Sequence, residues 1–270
     1  MYPASRIVCL TEETTETLYL LGEEHRIVGI SGYTVRPPRA RREKPRVSAF
    51  ISADIPKILA LEPDLVLSFS DLQADIVAAL IRAGVSVHAF NQRTVSEIFD
   101  MIQTLGALVG ASDRADALVA RLRAGLDDIR AKAARLTARH KVYFEEWDDP
   151  MISGIAWVSE LIQIAGGKDA FPELAGMKSA KDRIVTAEQV IARAPDIIVG
   201  SWCGKKFNPK KVIERPGFEQ IPAVRHNAIY EIKSPLILQP GPAALTDGLA
   251  ALHDIVMKNY SGASLSAASP

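Results

Sequence analysis

The sequence predicts an α/β protein of two similar lobes, each a mostly parallel sheet flanked by helices, joined by one long rigid helix. Three observations predict it. A segment running helix end, Pro-Asp turn, buried strand occurs twice, at Leu61-Glu62-Pro63-Asp64-Leu65-Val66-Leu67 and at Arg193-Ala194-Pro195-Asp196-Ile197-Ile198-Val199, with the prolines 132 positions apart. The strand openings Arg6-Ile7-Val8-Cys9-Leu10 and Lys141-Val142-Tyr143-Phe144 repeat at an offset of 135. Between them, residues 113–139 are rich in Ala, Leu and Arg, without proline and with one glycine.

Each element has a local reason. Proline forces the residue before it away from the α region and ends the helix. Asp is a turn residue, and the β-branched run that follows suits a strand covered on both faces. The first strand leads into the polar stretch Thr11-Glu12-Glu13-Thr14-Thr15, then a helix ending near Leu21-Gly22. Thr11 followed by Glu reads as a helix cap. In the second half, Glu145-Glu146-Trp147-Asp148-Asp149 reads as the matching loop, and Trp157 opens a helix that stops at Gly166-Gly167. Leu118, Leu122, Leu126 and Ile129 recur at helical spacing in the linking segment. A helix of that length spans about 37 Å, and its stiffness limits hinge motion. The expected organisation is a first lobe at 1–112, a linking helix at 113–139, a second lobe at 140–258 and a disordered Ser/Ala-rich tail at 259–270.

Composition narrows the function. Lys plus Arg and Asp plus Glu both number 32, so there is no basic excess to attract nucleic acid. No apolar run reaches the roughly 18 residues of a membrane span. The start, Met1-Tyr2-Pro3-Ala4-Ser5-Arg6, passes straight into a strand pattern, so the chain is expected in the cytoplasm as encoded, or in the periplasm if a signal has been removed before it. Cys9 and Cys203 read as buried small hydrophobes rather than a disulfide framework. The five histidines form no metal-spaced pair, and no GxSxG, Walker, HExxH or GxGxxG motif is present.

In open α/β sheets, ligands bind beyond the carboxyl ends of the strands. That rule nominates Thr11, Glu12 and Glu13, Tyr33, Ser70 beside Phe69, Asn91, Glu146 with Trp147, and Trp202 with Cys203. A tryptophan at a strand end beside glycine reads as exposed to a ligand. Arg36 leads a basic run to Arg46 and is its member nearest Tyr33. Glu145, Glu146 and Asp148 are the only acid/base candidates, and Lys205 and Lys206 read as surface cations.

From Arg6 to about Ile255 the chain resembles the ABC-transporter solute-binding proteins for cobalamin, haem and ferric siderophores, closest to the cobalamin-binding branch. The opening strand carries the resemblance, with Val28-Gly29-Ile30-Ser31 followed by Tyr33 and Pro37-Pro38, the stretch Lys57 to Val66, Gly166-Gly167 and Ala187-Glu188-Gln189-Val190. The resemblance implies a monomeric, non-enzymatic protein that needs no cofactor. It would hold a corrinoid as ligand in a cleft between the lobes and deliver it to an ABC transporter permease dimer. It implies Tyr33 as a ligand contact, Phe50 and Phe69 where the family carries Trp, and Trp147, Trp157 and Trp202 as a second wall of aromatic faces. It places transporter docking on Glu188 and, near Pro56 where the acidic residue is missing, on Asp54. Around Gln239-Pro240-Gly241-Pro242, where the family often carries a charged contact, this chain is uncharged. Three alternatives stay open: an intracellular tetrapyrrole carrier without a transporter, a ferric-siderophore binder relying on Arg36, Lys205 and Lys206, and an enzyme acting in the cleft with Glu145, Glu146 or Asp148 as acid/base.

Overall fold

The computed structural model describes residues 3–266, with side chains to Tyr260. Its first sheet has strands β1 (Ile7–Cys9), β2 (Ile27–Ser31), β3 (Arg46–Ser48), β4 (Leu65–Phe69) and β5 (Val87–Phe90), in the order β3-β2-β1-β4-β5. Every pairing is parallel. The chain steps from β1 outward to β2 and β3, then crosses back to β4 on the other side of β1. The order therefore reverses between β1 and β4, which puts the switch point at Leu10-Thr11 and Phe69-Ser70. Val8, Leu10, Val47, Ile58, Val66 and Leu80 form the core on one face of this sheet. Helices α1 (Glu12–Leu20), α2 (Ala40–Glu43), α3 (Ile55–Ala60) and α4 (Ala74–Arg82) make the connections, and α5 (Val95–Leu108) follows β5.

The second sheet has β6 (Lys141–Asp148), β7 (Met151–Ser153), β8 (Lys168–Asp169), β9 (Ile197–Gly200) and β10 (Ile229–Glu231), in the order β10-β9-β6-β7, with β8 pairing the start of β6. Only β6 and β7 run antiparallel. Its core gathers Tyr143, Phe171, Val190, Ile198, Phe207 and Phe218. Both Pro-Asp repeats feed the central strands they predict, β4 and β9. Each aspartate fastens the neighbouring strand start: Asp64 accepts from the backbone N–H of Ser5 and Arg6, and Asp196 from that of Lys141.

Two compact units result. One holds the residues up to Gln92 together with Ser96–Leu122; the other holds Arg93–Val95 and everything from Arg123 on. The chain passes from the first to the second inside α6 (Ser112–Ala133).

Three expectations are corrected. The linking helix ends at Ala133, not residue 139. Its last turn tightens to i−3 bonds at Arg135 and Leu136, Leu136 and Ala133 pack against Gly166, and Tyr260 captures the backbone N–H and hydroxyl of Thr137. The acidic stretch is not a loop: β6 runs through Asp148, and the chain turns only at Asp149-Pro150. The tail expected from residue 259 is helical to Ser266, continuing the helix that starts at Leu249. Asn259 in it bonds the Ile255 carbonyl and Tyr230. Residues 267–270 lie outside the described residues. No helix among the described residues is long and apolar enough to cross a membrane.

Candidate functional site

At the first sheet, β1 delivers Thr11 in an extended conformation as the residue before α1. The expected side-chain cap does not form. The Thr11 hydroxyl instead meets that of Thr14 at 3.1 Å, and the hydroxyls of Thr14 and Thr15 donate back to the Thr11 carbonyl. Glu12 and Glu13 then occupy the first turn, where the helix dipole favours carboxylates. Burial overrides the dipole. Desolvation, aided by the neighbouring carboxyls Glu13 and Glu16, pushes Glu12 up to about 8. Desolvation pushes Glu13 up to about 7 against a hydrogen bond from Thr11. Glu16 has a different fate, since Arg36 donates to it at 2.7 Å. Arg36 thus spends its Nε on Glu16 while its side chain stays partly exposed.

Tyr33 follows β2, its backbone N–H donating to the Ser31 hydroxyl, and its side chain is 53 % exposed. Phe50 follows β3 and is half-buried; Phe69 closes β4 and is buried. Ser70 has a left-handed φ of 59°, unusual for a residue with a side chain. Its hydroxyl accepts from the N–H of Leu72, and its own N–H donates to the Phe90 carbonyl. Asn91, after β5, is exposed.

One residue absent from the sequence expectations binds these loops together. Gln73 is fully buried. Its amide oxygen accepts from the N–H of Phe69 at 3.0 Å, and its amide nitrogen donates to the carbonyls of Phe50 at 2.8 Å and Leu10 at 3.3 Å. Three strand-end segments therefore share one side chain. Beyond them stand Ile51, 71 % exposed, and Leu72, 59 % exposed.

At the second sheet, Glu145 is fully buried and receives four donors: Tyr143 Oη at 3.0 Å, Trp202 Nε1 at 2.9 Å, and Arg215 through Nη1 at 2.5 Å and Nη2 at 3.0 Å. Burial and this carboxylate hold the Tyr143 hydroxyl well above its ordinary range. Glu146 pairs with buried Arg183 at 2.7 Å. Asp148 is bridged by Lys205, with Lys211 at 3.8 Å; these cations outweigh partial burial and hold its carboxyl below the usual range. Lys205 also sits 3.8 Å above the half-buried Trp147 ring. Glu145, Glu146 and Asp148, the acid/base candidates, are each paired with a guanidinium or ammonium.

The tryptophan wall is also corrected. Trp202 is buried against Phe207, ring centroids 4.9 Å apart, and Gly200 makes room for that ring: a Cβ there would lie 1.8 Å from it. Trp157 is buried in α7 (Ala156–Ile164), its indole N–H donating to the Ile237 carbonyl at 2.8 Å. Trp147 alone of the three keeps a partly open face. Cys203, expected buried, is exposed, whereas Cys9 is buried and its thiol is pushed up to about 12 by desolvation. Lys205 is exposed, as expected, and its ammonium also pairs with Asp148 and lies over the Trp147 indole. Gln239 is half-buried, its carbonyl accepting from the N–H of Gly241. Asp54 and Glu188 are both exposed at helix starts. Asp54 caps α3 by accepting from the N–H of Lys57 at 3.0 Å, and Glu188 lies in the first turn of α8 (Ala187–Arg193). No group of three His, Cys, Asp or Glu suited to a metal occurs among the described residues.

The chain is 28 % identical over 260 residues to an uncharacterized ABC transporter substrate-binding lipoprotein of Bacillus subtilis, covering 93 % of this chain and 79 % of that protein. It is 25 % identical over 251 residues to the vitamin B12-binding protein of Vibrio parahaemolyticus, covering 90 % and 86 %. The solved periplasmic heme-binding protein of Roseiflexus sp. RS-1 superposes with a TM-score of 0.79 at 25 % identity, covering 94 % of this chain and 99 % of that one. With the periplasmic binding protein model matching residues 7–236, over two mostly parallel sheets with loops at their carboxyl edges, the chain belongs to the periplasmic binding protein family.

Proposed function

We propose that this protein is the solute-binding component of an ABC uptake system and carries a corrinoid-like, largely apolar small molecule without transforming it. The observation that carries this reading is the row of apolar tips at the carboxyl edge of the first sheet. Tyr33, Ile51 and Leu72 follow three different strands and are each more than half exposed. Large apolar side chains collected on loops over a rigid sheet suit the body of a macrocycle, because burying them recovers roughly 25 cal/mol per Å². The vitamin B12-binding relative supports the ligand class. The arginine- and lysine-neutralised acids of the second sheet support carriage over catalysis. The family calls for no cofactor; the ligand is cargo. Exposed Asp54 and Glu188 are our candidates for docking to a permease.

Titration with cobinamide, haemin and a ferric siderophore, read by tryptophan emission, tests the reading. Cobinamide binds, and Tyr33→Ala weakens it at least tenfold, about 1.4 kcal/mol. Failure of cobinamide to bind below about millimolar overturns the corrinoid assignment.

A further inference from the structure

The two sheets treat their carboxylates in opposite ways. At the second, Glu145, Glu146 and Asp148 each meet a guanidinium or ammonium. At the first, Glu12 and Glu13 meet none. Among the described residues Glu12 makes no hydrogen bond or ion pair, although it is only 8 % exposed, and Arg41 is the one cation whose field reaches it. Glu13 is 1 % exposed, and its Oε1 has no hydrogen-bond partner. Arg36, the first cation of the basic run after Tyr33, pairs with Glu16 at 2.7 Å.

A buried carboxyl oxygen without a partner costs about 1–3 kcal/mol. Nothing in the core of this unit needs such groups: Val8, Leu10 and Val66 pack without them. The carboxyls stand at the switch point between β1 and β4, where this sheet order places a ligand. The exposed apolar tips Tyr33, Ile51 and Leu72 arise from the loops after the neighbouring strands. An orphaned acceptor beside an apolar rim describes the complement of a ligand with an apolar body and N–H donors on its periphery.

We infer that the carboxyl edge of the first sheet selects its ligand by hydrogen-bond donors: Glu12 and Glu13 receive carboxamide or amine N–H groups, and macrocycles whose side arms end in carboxylates are refused. This rests on the proposed carrier function and names the chemistry of its cargo. A donor supplied by the ligand satisfies the orphaned oxygen. Once both carboxyls are ionised, above about pH 8, a ligand carboxylate would add another negative group beside Glu12, Glu13 and Glu16, with Arg41 the cation nearest to offset it. Discrimination of this kind is strong because the wrong ligand leaves buried polar groups unpaired.

The test uses the full chain and two matched pairs. One is cobinamide against cobyrinic acid, which share a ring and differ in amide or carboxylate arms. The other is haemin bis-amide against haemin. Affinities are measured by isothermal calorimetry at about pH 9, above both carboxyl values. In whichever ring binds, the amide form binds at least tenfold tighter, and Glu12→Gln with Glu13→Gln narrows the gap below threefold by admitting the carboxylate form. The single Glu12→Gln variant, isosteric and at the less buried position, shows a partial narrowing and serves if the double variant folds poorly. Equal or tighter binding of the carboxylate form by the wild-type chain overturns the inference, as does a gap that the variants leave unchanged. If only the porphyrin pair binds, with the amide preferred, the inference stands and the corrinoid reading falls. If none of the four binds, both fall.

Discussion

Trp202 donates its indole N–H to the buried Glu145 carboxylate at 2.9 Å, and Arg215 grips the same carboxylate with both terminal nitrogens. A tryptophan at a strand end is here a strut inside the second unit. Trp202→Phe removes one of four donors and costs about 1–2 kcal/mol in urea denaturation. Arg215→Met leaves a buried charge without its counter-ion and costs about 3–5 kcal/mol. In ligand titration Trp202→Phe changes affinity less than twofold; a tenfold loss would return Trp202 to the binding wall.

Gln73 ties Leu10, Phe50 and Phe69 through one amide. Gln73→Leu keeps the volume but orphans a backbone N–H, and destabilises the protein by about 1–3 kcal/mol. The ends of three loops loosen together, so hydrogen exchange at Phe69 accelerates and ligand affinity falls, while the amides of β9 stay protected.

The first sheet's acids make stability depend on pH. Glu12 and Glu13 ordinarily titrate near 4.5, and in the folded protein near 8 and 7. Below the ordinary value folded and unfolded chains both hold these protons. As pH rises through the window from about 4.5 to about 8, the unfolded chain releases them first, and folding stability drops. Urea midpoints at about pH 5 and about pH 8.5 record the fall, and Glu12→Gln with Glu13→Gln flattens it. An unchanged slope in that variant would assign the effect to other groups.

Gly200 lies where a Cβ would fall 1.8 Å from the Phe207 ring. Gly200→Ala evicts that ring from beneath Trp202 and costs about 1–3 kcal/mol, since tight cores resist added methyls. Phe207→Ala in the same chain relieves the clash, so the pair of changes is less than additive.

The frame of both sheets was legible because parallel strands covered on both faces read as unbroken β-branched runs, and Pro63-Asp64 and Pro195-Asp196 punctuate them alike. The candidate loops followed from the strand ends. The state of the side chains did not. Glu145 and Arg215 are 70 residues apart, and no local pattern announces that a strand of acids will be neutralised from the far end of the unit. Reading Glu145 to Asp149 as a loop assumed that charge means solvent; paired charge tolerates a strand. Gln73 sits in an unremarkable Leu-Gln-Ala stretch, and only the convergence of three backbone segments reveals its task. Ala134 to Arg139 carries no helix breaker, so the end of α6 at Ala133 is set by the contacts of Leu136 and Thr137 with the second unit's own core and last helix.

The ammonium of Lys205 resting on Trp147 has an optical consequence. Trp157 and Trp202 are sealed from water and emit toward the blue whether or not a guest arrives. Trp147, half-buried, is the red-edge fluorophore, already perturbed by a tethered cation. Lys205→Met therefore shifts the red edge of the emission, and Trp147→Phe removes that edge.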